Sequence, residues 1–382
     1  MALTDVFISP AGAGSKDGSS VANALQAIDS GDWSTDMEGI DRANKRFIFL
    51  TGTYACTTNL VITGSAAAID TPNQWVGAKS DGTILRPKFD ETGLRLDLTD
   101  YPLFVMSANE EMITQDENTF YKCLSFENTN SSYNKSAIVD STTSVNDSQG
   151  WVGCNFKANC QGTNAEVMVC SNTYFHTCVF ESVGDIYDRI VDARNTHFNH
   201  CRVIGPSTSG SGGDGDGYTV TSGNGSMMNC IITRVHGHGY ICTTTNDRTS
   251  IPGPTNCTIV NVGGDGFNNT SIDGDSQSNH YMPGPHNTII YGAGAYGMNV
   301  AANDSRQNGP QIMAMGSNSS GNFNNMDSYE DMIDVITVTS ADFVDLANLD
   351  FRIRRDSPLY KLYGTSNLGG LQNEDYEFAS VS

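Results

Sequence analysis

No run of apolar residues in this chain approaches the roughly 20 needed to cross a membrane. The opening stretch MALTDVFISP has no basic region followed by an apolar one. The expectation is therefore a chain without a secretory leader, either not exported by that route or already trimmed. No two cysteines stand in C-x-x-C spacing, which counts against a structural zinc site. No lysine lies between Lys157 and Lys361. Charge is scarce overall: only 17% of the 382 residues are charged, and 43 acidic against 21 basic residues give a net charge of −22. An acidic surface repels phosphate backbones and anionic lipid, so neither nucleic acid nor membrane is expected as a partner.

Disordered chains combine low hydrophobicity with high charge, and this one does not. With 38% hydrophobic residues and 39 glycines, it reads as many short runs of Val, Ile, Phe and Tyr punctuated by Gly, Asn and Asp. Those are strands joined by turns.

A repeat is visible when the sequence is aligned on cysteine. FYKCLSFENT, WVGCNFKANC, FHTCVFESVG, FNHCRVIGPS, MMNCIITRVH and PTNCTIVNVG follow one another at 23–31-residue steps, and PHNTIIYGAG continues them with Asn287 in the cysteine position. Two residues after each cysteine come Ser125, Phe156, Phe180, Val203, Ile232, Ile259 and, after Asn287, Ile289. Alternate residues of a strand share a face, so Cys123, Cys154, Cys178, Cys201, Cys230 and Cys257 are expected in one inward column, as unpaired thiols packed as small apolar residues. A repeat of this length, unable to bury its apolar face alone, predicts a stack of coils: an all-β, single-stranded right-handed parallel β-helix.

Each coil also carries a turn: VGDIY, DGDGY, HGHGY, GGDGF and GAYGM. Aligned, they form a polar column of Asp185, Asp216, His238, Asp265 and Tyr296. Stacked coils lie about 4.8 Å apart, so Asp216 and Asp265 are expected roughly 9–10 Å apart with His238 between them. That is near the separation of two carboxyls in an inverting glycosidase. A histidine between two carboxylates is a candidate proton shuttle, which makes Asp216, His238 and Asp265 the candidate catalytic residues. Asp185, Asp214, Arg234, Arg248 and Tyr296 are candidates for substrate binding. The same turns also read as ordinary turn chemistry, with aspartate bonding nearby backbone. No cofactor is expected. Asp214, Asp216 and Asp265 offer calcium an alternative use of the same carboxylates.

At the N-terminus, DVFISPAGAGSKDGSSVANALQAID predicts a strand, a polar loop and a capping helix, with Ser19 or Ser20 as cap and Val21, Ala24, Leu25 and Ile28 as its apolar stripe. The chain divides into residues 1–60 as N-terminal cap, 61–302 as coils, and 303–382 as a long loop and closing segment, all in one structural domain. The N-terminal stretch, FIFLTGTY, the NCIITRV and NTIIYGAGAYGM coils and VTSADFVDLANLDFRIRRDSPLY together resemble the pectate-lyase-like right-handed parallel β-helix superfamily over nearly the whole chain. That superfamily holds lyases, hydrolases and phage tailspikes. DGDGY followed about one coil later by GHGY is similar to the polygalacturonase-like branch, although the adjacent aspartate pair and the Arg-Ile-Lys triplet of that branch are absent.

The leading expectation is a virion-exposed structural protein of a bacteriophage: a tailspike, tail fibre or capsid decoration protein, oligomeric and most plausibly trimeric. Its partners would be other virion proteins and cell-surface polysaccharide. The alternative is an extracellular polysaccharide-degrading hydrolase or lyase using the Asp/His column.

Overall fold

The computed structural model describes residues 3–26, 45–62, 73–115, 119–133, 139–142, 149–160, 165–184, 189–206, 215–222, 225–243, 253–269, 285–300, 311–324 and 333–360. Within these, the chain winds repeatedly through three parallel sheets, here called A, B and C. Sheet A has nine strands, sheet B eleven and sheet C ten; every pairing within the three is parallel and, apart from Leu25–Gln26 on the far side of Thr4–Ser9, joins equivalent strands of successive coils. This is the parallel β-helix the repeat predicts.

Side chains alternate into and out of the coil as the pleat requires. The interior of sheet B is one continuous column, Tyr54, Phe104, Phe126, Phe156, Phe180, Val203, Ile232, Ile259 and Ile290. Its aromatic rings stack at 4.8–5.7 Å. Sheet A contributes Trp75, Tyr121, Trp151, Phe175 and Phe198 in the same manner. Sheet C contributes Tyr218, Tyr240 and Phe267, all turned inward as expected.

The cysteine column is real but begins one coil later than identity suggests. Cys154, Cys178, Cys201, Cys230 and Cys257 are in register and buried, with Leu124 below them and Thr288 above. Cys123 and Asn287 belong one position earlier, so Phe126, not Ser125, is the inward residue of its strand. Their column is a corner where the backbone is left-handed: Cys123, Gly153, Thr177, His200, Asn229, Asn256 and Asn287 all have φ between 47° and 62°. The corner turns the chain from sheet A into sheet B at the cost of a strained backbone, which asparagine tolerates better than most residues. Cys123, Cys154, Cys178, Cys201, Cys230 and Cys257 are free and buried, and Cys56, Cys170 and Cys242 are buried as well. Burial drives the Cys178, Cys201 and Cys257 thiols well above their ordinary range, so they act as packing groups.

The expected N-terminal helix is not formed. Val21–Asn23 makes a single 3-10 turn, and Leu25–Gln26 pairs in parallel with Ile8 and Ser9. The apolar stripe that resembles a helix face serves another purpose. Ala24 is fully buried in a small cluster with Ile48 and Val76, and Leu25 packs against the main core. Ile28 lies outside the described residues.

Sheet B is covered on its outer face as well. Residues 79–101 lie over its middle strands, and residues 338–360, including the antiparallel pair Phe343–Asp345 and Asp350–Ile353, lie over its later ones. Arg202 pins the first of these segments. Fully buried, it donates from Nε to the Gly93 carbonyl at 2.9 Å and from Nη1 to the Cys201 carbonyl at 2.9 Å, and it lies 4.3 Å from the Phe89 ring centre.

The corner has a pH consequence at His200. Burial, then the neighbouring Arg202 and His176, push its pKa from 6.5 down to about 4. Between those values the unfolded chain binds a proton that the folded one refuses, so stability falls as pH drops from 6.5 toward 4. His200→Asn should place a residue suited to the left-handed corner there and remove that slope. The expected gain in urea-unfolding stability at pH 4.5 relative to pH 7 is on the order of 1 kcal/mol, discounted for the ring's partial exposure.

Candidate active site

The polar column lies where the turns leaving sheet B enter sheet C. Its register follows from the inward residues beyond it, Tyr218, Tyr240, Phe267 and Met298, which pair in sequence. Two residues earlier on each coil stand Asp216, His238, Asp265 and Tyr296, so these four predicted residues are brought together as expected. Below Asp216 the column continues with Arg189, the residue paired with it. Arg189 Nε lies 2.9 Å from the Glu166 carboxylate. The sequence alignment placed Asp185 at this level. Asp185, Asp214 and Arg248 lie outside the described residues.

One interaction repeats up the column. Asp216 Oδ1 accepts the backbone N–H of His238 at 2.8 Å. His238 Nδ1 accepts the backbone N–H of Asp265 at 2.9 Å. Asp265 Oδ1 accepts the backbone N–H of Tyr296 at 2.9 Å. Each side chain thus caps the equivalent amide of the next coil, an amide that would otherwise be a buried donor without a partner. The turn-chemistry reading of the sequence accounts for this part of the column, although the aspartates cap the following coil and not their own.

Asp265 carries more than its rung. It is 2% exposed. Its Oδ2 accepts the side-chain amides of Asn268 and Asn299, both at 2.9 Å, and Asn324 in turn donates to Asn299 Oδ1 at 3.0 Å. Burial pushes the Asp265 pKa up, but hydrogen bonds from Asn299 and the Tyr296 amide hold the carboxyl below its usual range. It is a fixed carboxylate and a poor proton donor. These asparagines were not among the expected site residues. They were readable all the same, because each follows directly on an inward residue: Phe267-Asn268, Met298-Asn299 and Phe323-Asn324.

His238 is different. Its side chain is 26% exposed, against 4% for that of Asp265, and the two groups approach to 3.3 Å. The backbone donor at Nδ1 selects the neutral ring with its proton on Nε2. The Asn268 amide lies along the ring edge, 3.0 Å from Nε2 and 3.2 Å from Nδ1.

Arg234, four residues before His238, sits at a second left-handed corner with Asn261 and Gly292. It lines an open groove of about 530 Å³ with Pro206, Asn261, Gly263, Gly294 and Leu349. Its Nη2 donates to the Pro206 carbonyl, which fixes the guanidinium along the groove wall. Among the described residues, no cluster of three or more His, Cys, Asp or Glu is arranged to hold a metal ion. The Asp216 and Asp265 oxygens described above are committed to amide donors.

No protein-family model matches the sequence, and no curated protein matches it either. Among solved structures, pectate lyase Pel9A matches at 12% identity with a TM-score of 0.53, covering 97% of this chain and 97% of that one. A rhamnogalacturonan lyase matches at 11% identity with a TM-score of 0.49, covering 90% and 91%. The catalytic domain of a GH87 alpha-1,3-glucanase matches at 10% identity with a TM-score of 0.36, covering 82% of this chain and 67% of that one. The likeness to Pel9A is one of fold: the chain is a pectate-lyase-like parallel β-helix.

Proposed function

We propose that the chain is a polysaccharide-degrading enzyme that holds its glycan across the turns between sheets B and C and uses His238 as a hydrogen-bond donor to the departing glycosidic oxygen. The observation that carries this reading is the state of His238. It is a partly exposed imidazole whose tautomer is fixed by a backbone amide, in a column whose carboxylates are already engaged. With the Nδ1 lone pair held by the Asp265 amide, the ring works through Nε2–H, which donates a hydrogen bond to the glycosidic oxygen as negative charge develops on it. The depressed pKa of Asp265 argues against hydrolysis by an Asp216–Asp265 pair, because one carboxyl of such a pair must be protonated to serve as the acid. Arg234 on the groove wall and Tyr296 at the top of the column are the proposed glycan contacts.

The test is a panel of acidic and neutral polysaccharides assayed for new reducing ends and for the ultraviolet absorbance of unsaturated sugars. His238→Ala is expected to lower the rate by about 100-fold or more, the usual worth of a preorganised donor aimed at developing charge. Asp216→Asn keeps an oxygen for the His238 amide and should retain most of the activity. Loss of activity in Asp216→Asn with His238→Ala still active would overturn the assignment.

A second reading is favoured by the buried free thiols of Cys154, Cys178, Cys201, Cys230 and Cys257, which suit folding in a reducing compartment. It makes the protein a virion-surface glycan-binding protein, self-associated through the flanks of the helix. A stable trimer by light scattering, with no cleavage of any glycan, would select it.

A further inference from the structure

The groove that holds Arg234 runs beside the polar column. Gly263 and Gly294, on its lining, stand two positions before Asp265 and Tyr296. Pro206 and Arg234 set its other levels on the two preceding coils. Four coils stacked about 4.8 Å apart give it a length of roughly 14 Å along the axis. All but one of its lining residues come from the ends of sheet B strands or the turns that follow. The exception is Leu349, from the segment that covers sheet B. Its backbone is left-handed, with φ 66° and ψ 23°. Among the described residues, twelve other non-glycine residues have positive φ, and six of them are asparagine. Leu349 is the only aliphatic residue in the set, and a bulky side chain in this region is an outlier. The conformation is imposed from both sides. Asp345 accepts the Asn348 backbone N–H at 3.2 Å and its side-chain amide at 2.7 Å. The Leu349 N–H reaches the Leu346 carbonyl at 3.3 Å. Asp350, which is buried, is held by Arg352 and pairs in register with Asp345. Strained backbone over-determined in this way clusters at ligand clamps and active sites.

We propose that Leu349 is a specificity-determining residue of the glycan site, forming an apolar wall against which one sugar ring rests by its C–H face. The inference rests on reading the chain as a polysaccharide-degrading enzyme. A turn needed only to reverse the chain is better served by glycine, which adopts this conformation without crowding. Leucine there is explained by what its side chain meets. It is partly buried against the cluster under the covering segment, and it lines the groove together with Arg234 and Asn261. Such a groove matches a sugar, whose hydroxyls meet the guanidinium and the amide while its carbon face meets the aliphatic wall. A charged substituent on that face would lose its water and find no partner on leucine. Leu349 therefore selects a ring whose face carries no charge at that level of the groove.

Leu349→Gly and Leu349→Ala separate the wall from the strain. Both remove the side chain, but only glycine takes the left-handed backbone freely, so Leu349→Gly should have the higher urea midpoint. Dextran, xylan and alginate are the probes, in cleavage assays and in affinity electrophoresis. On the polysaccharide that the parent cleaves, both variants should raise KM roughly tenfold, about 1.4 kcal/mol. Their kcat should stay within about twofold of the parent's, as when binding common to ground and transition state is removed. Leu349→Met keeps an apolar wall and should hold KM near the parent's. His238→Ala should show the opposite split, with kcat lost and retardation in the gel unchanged. An unchanged KM in Leu349→Gly, or an alanine variant at least as stable as the glycine one, would remove this proposal and leave the catalytic reading intact. A parent that neither binds nor cleaves any of the three would remove both.

Discussion

Trp151→Ala should destabilise the protein by about 3–5 kcal/mol, the range for removing a large aromatic side chain from a core, and it should split the unfolding curve in two. Trp151 is fully buried in the centre of the coil. It stacks on Tyr121 at 3.7 Å, meets Phe156 edge-on at 5.2 Å and Phe126 at 5.9 Å, and lies 6.3 Å from Phe175 on the next coil. It therefore joins the coils before it to those after it. In a stack each coil touches only its neighbours, so stability is a sum of local terms and interfaces. A void at this interface weakens the coupling between two blocks that are otherwise intact. Chemical denaturation followed by tryptophan fluorescence and by far-ultraviolet circular dichroism should give transitions that no longer coincide. Coincident transitions with a small loss of stability would mean that the neighbouring rings collapse into the space.

Arg202→Ala should cost about 3–4 kcal/mol, combining an unfilled space with backbone carbonyls left short of a donor. Burial lowers the pKa of the guanidinium to about 10, so it is still charged at neutral pH. Among the described residues no carboxylate is bonded to it. Its partners are the carbonyls of Gly93, Cys201 and Asn229 and the face of Phe89. Loss of the Gly93 bond should also free the segment of residues 79–101 to limited proteolysis. Arg202→Met is the informative companion. Replacing a buried charge by an apolar side chain of similar length is often neutral or better, so methionine should restore at least half of the loss in the urea midpoint. A methionine variant as unstable as the alanine one would show that the hydrogen bonds, not the packing, hold the covering segment.

The repeat was legible because burial imposes it. Every coil needs an inward residue at fixed spacing, and the aliphatic and aromatic column marked the strands of sheet B. Cysteine marks the register less reliably, since Cys123 has the motif's residue type and Asn287 aligns with it by spacing, yet both occupy the left-handed corner one position earlier. Sequence identity does not report φ. The turn at residues 183–187 was misaligned for a related reason. The structure pairs Tyr218 with Val191 and puts Arg189 beneath Asp216, and loop length between strands is free to vary. The N-terminal stripe was read as a helix because its spacing fits one. Tertiary pairing with Ile8 and Ser9 decided otherwise. Within the site, Asp216, His238, Asp265 and Tyr296 were found from their common place in the turn. What that alignment could not convey was direction, namely that each side chain reaches forward to the amide of the coil after it.

That forward reach makes the length of the molecule adjustable. A rung asks only for an acceptor below and a backbone N–H above, and asparagine followed by cysteine recurs at each end of the 27-residue step from Cys230 to Cys257. Excising residues 230–256 would join Asn229 to Cys257 and offer Asp216 the Asp265 amide in place of that of His238. The stack would then lose one storey with no rung left open. Duplicating the same stretch would add one. Lineages carrying such a chain can gain or lose whole turns in a single genetic event, and any surface that runs along the axis is lengthened or shortened with it.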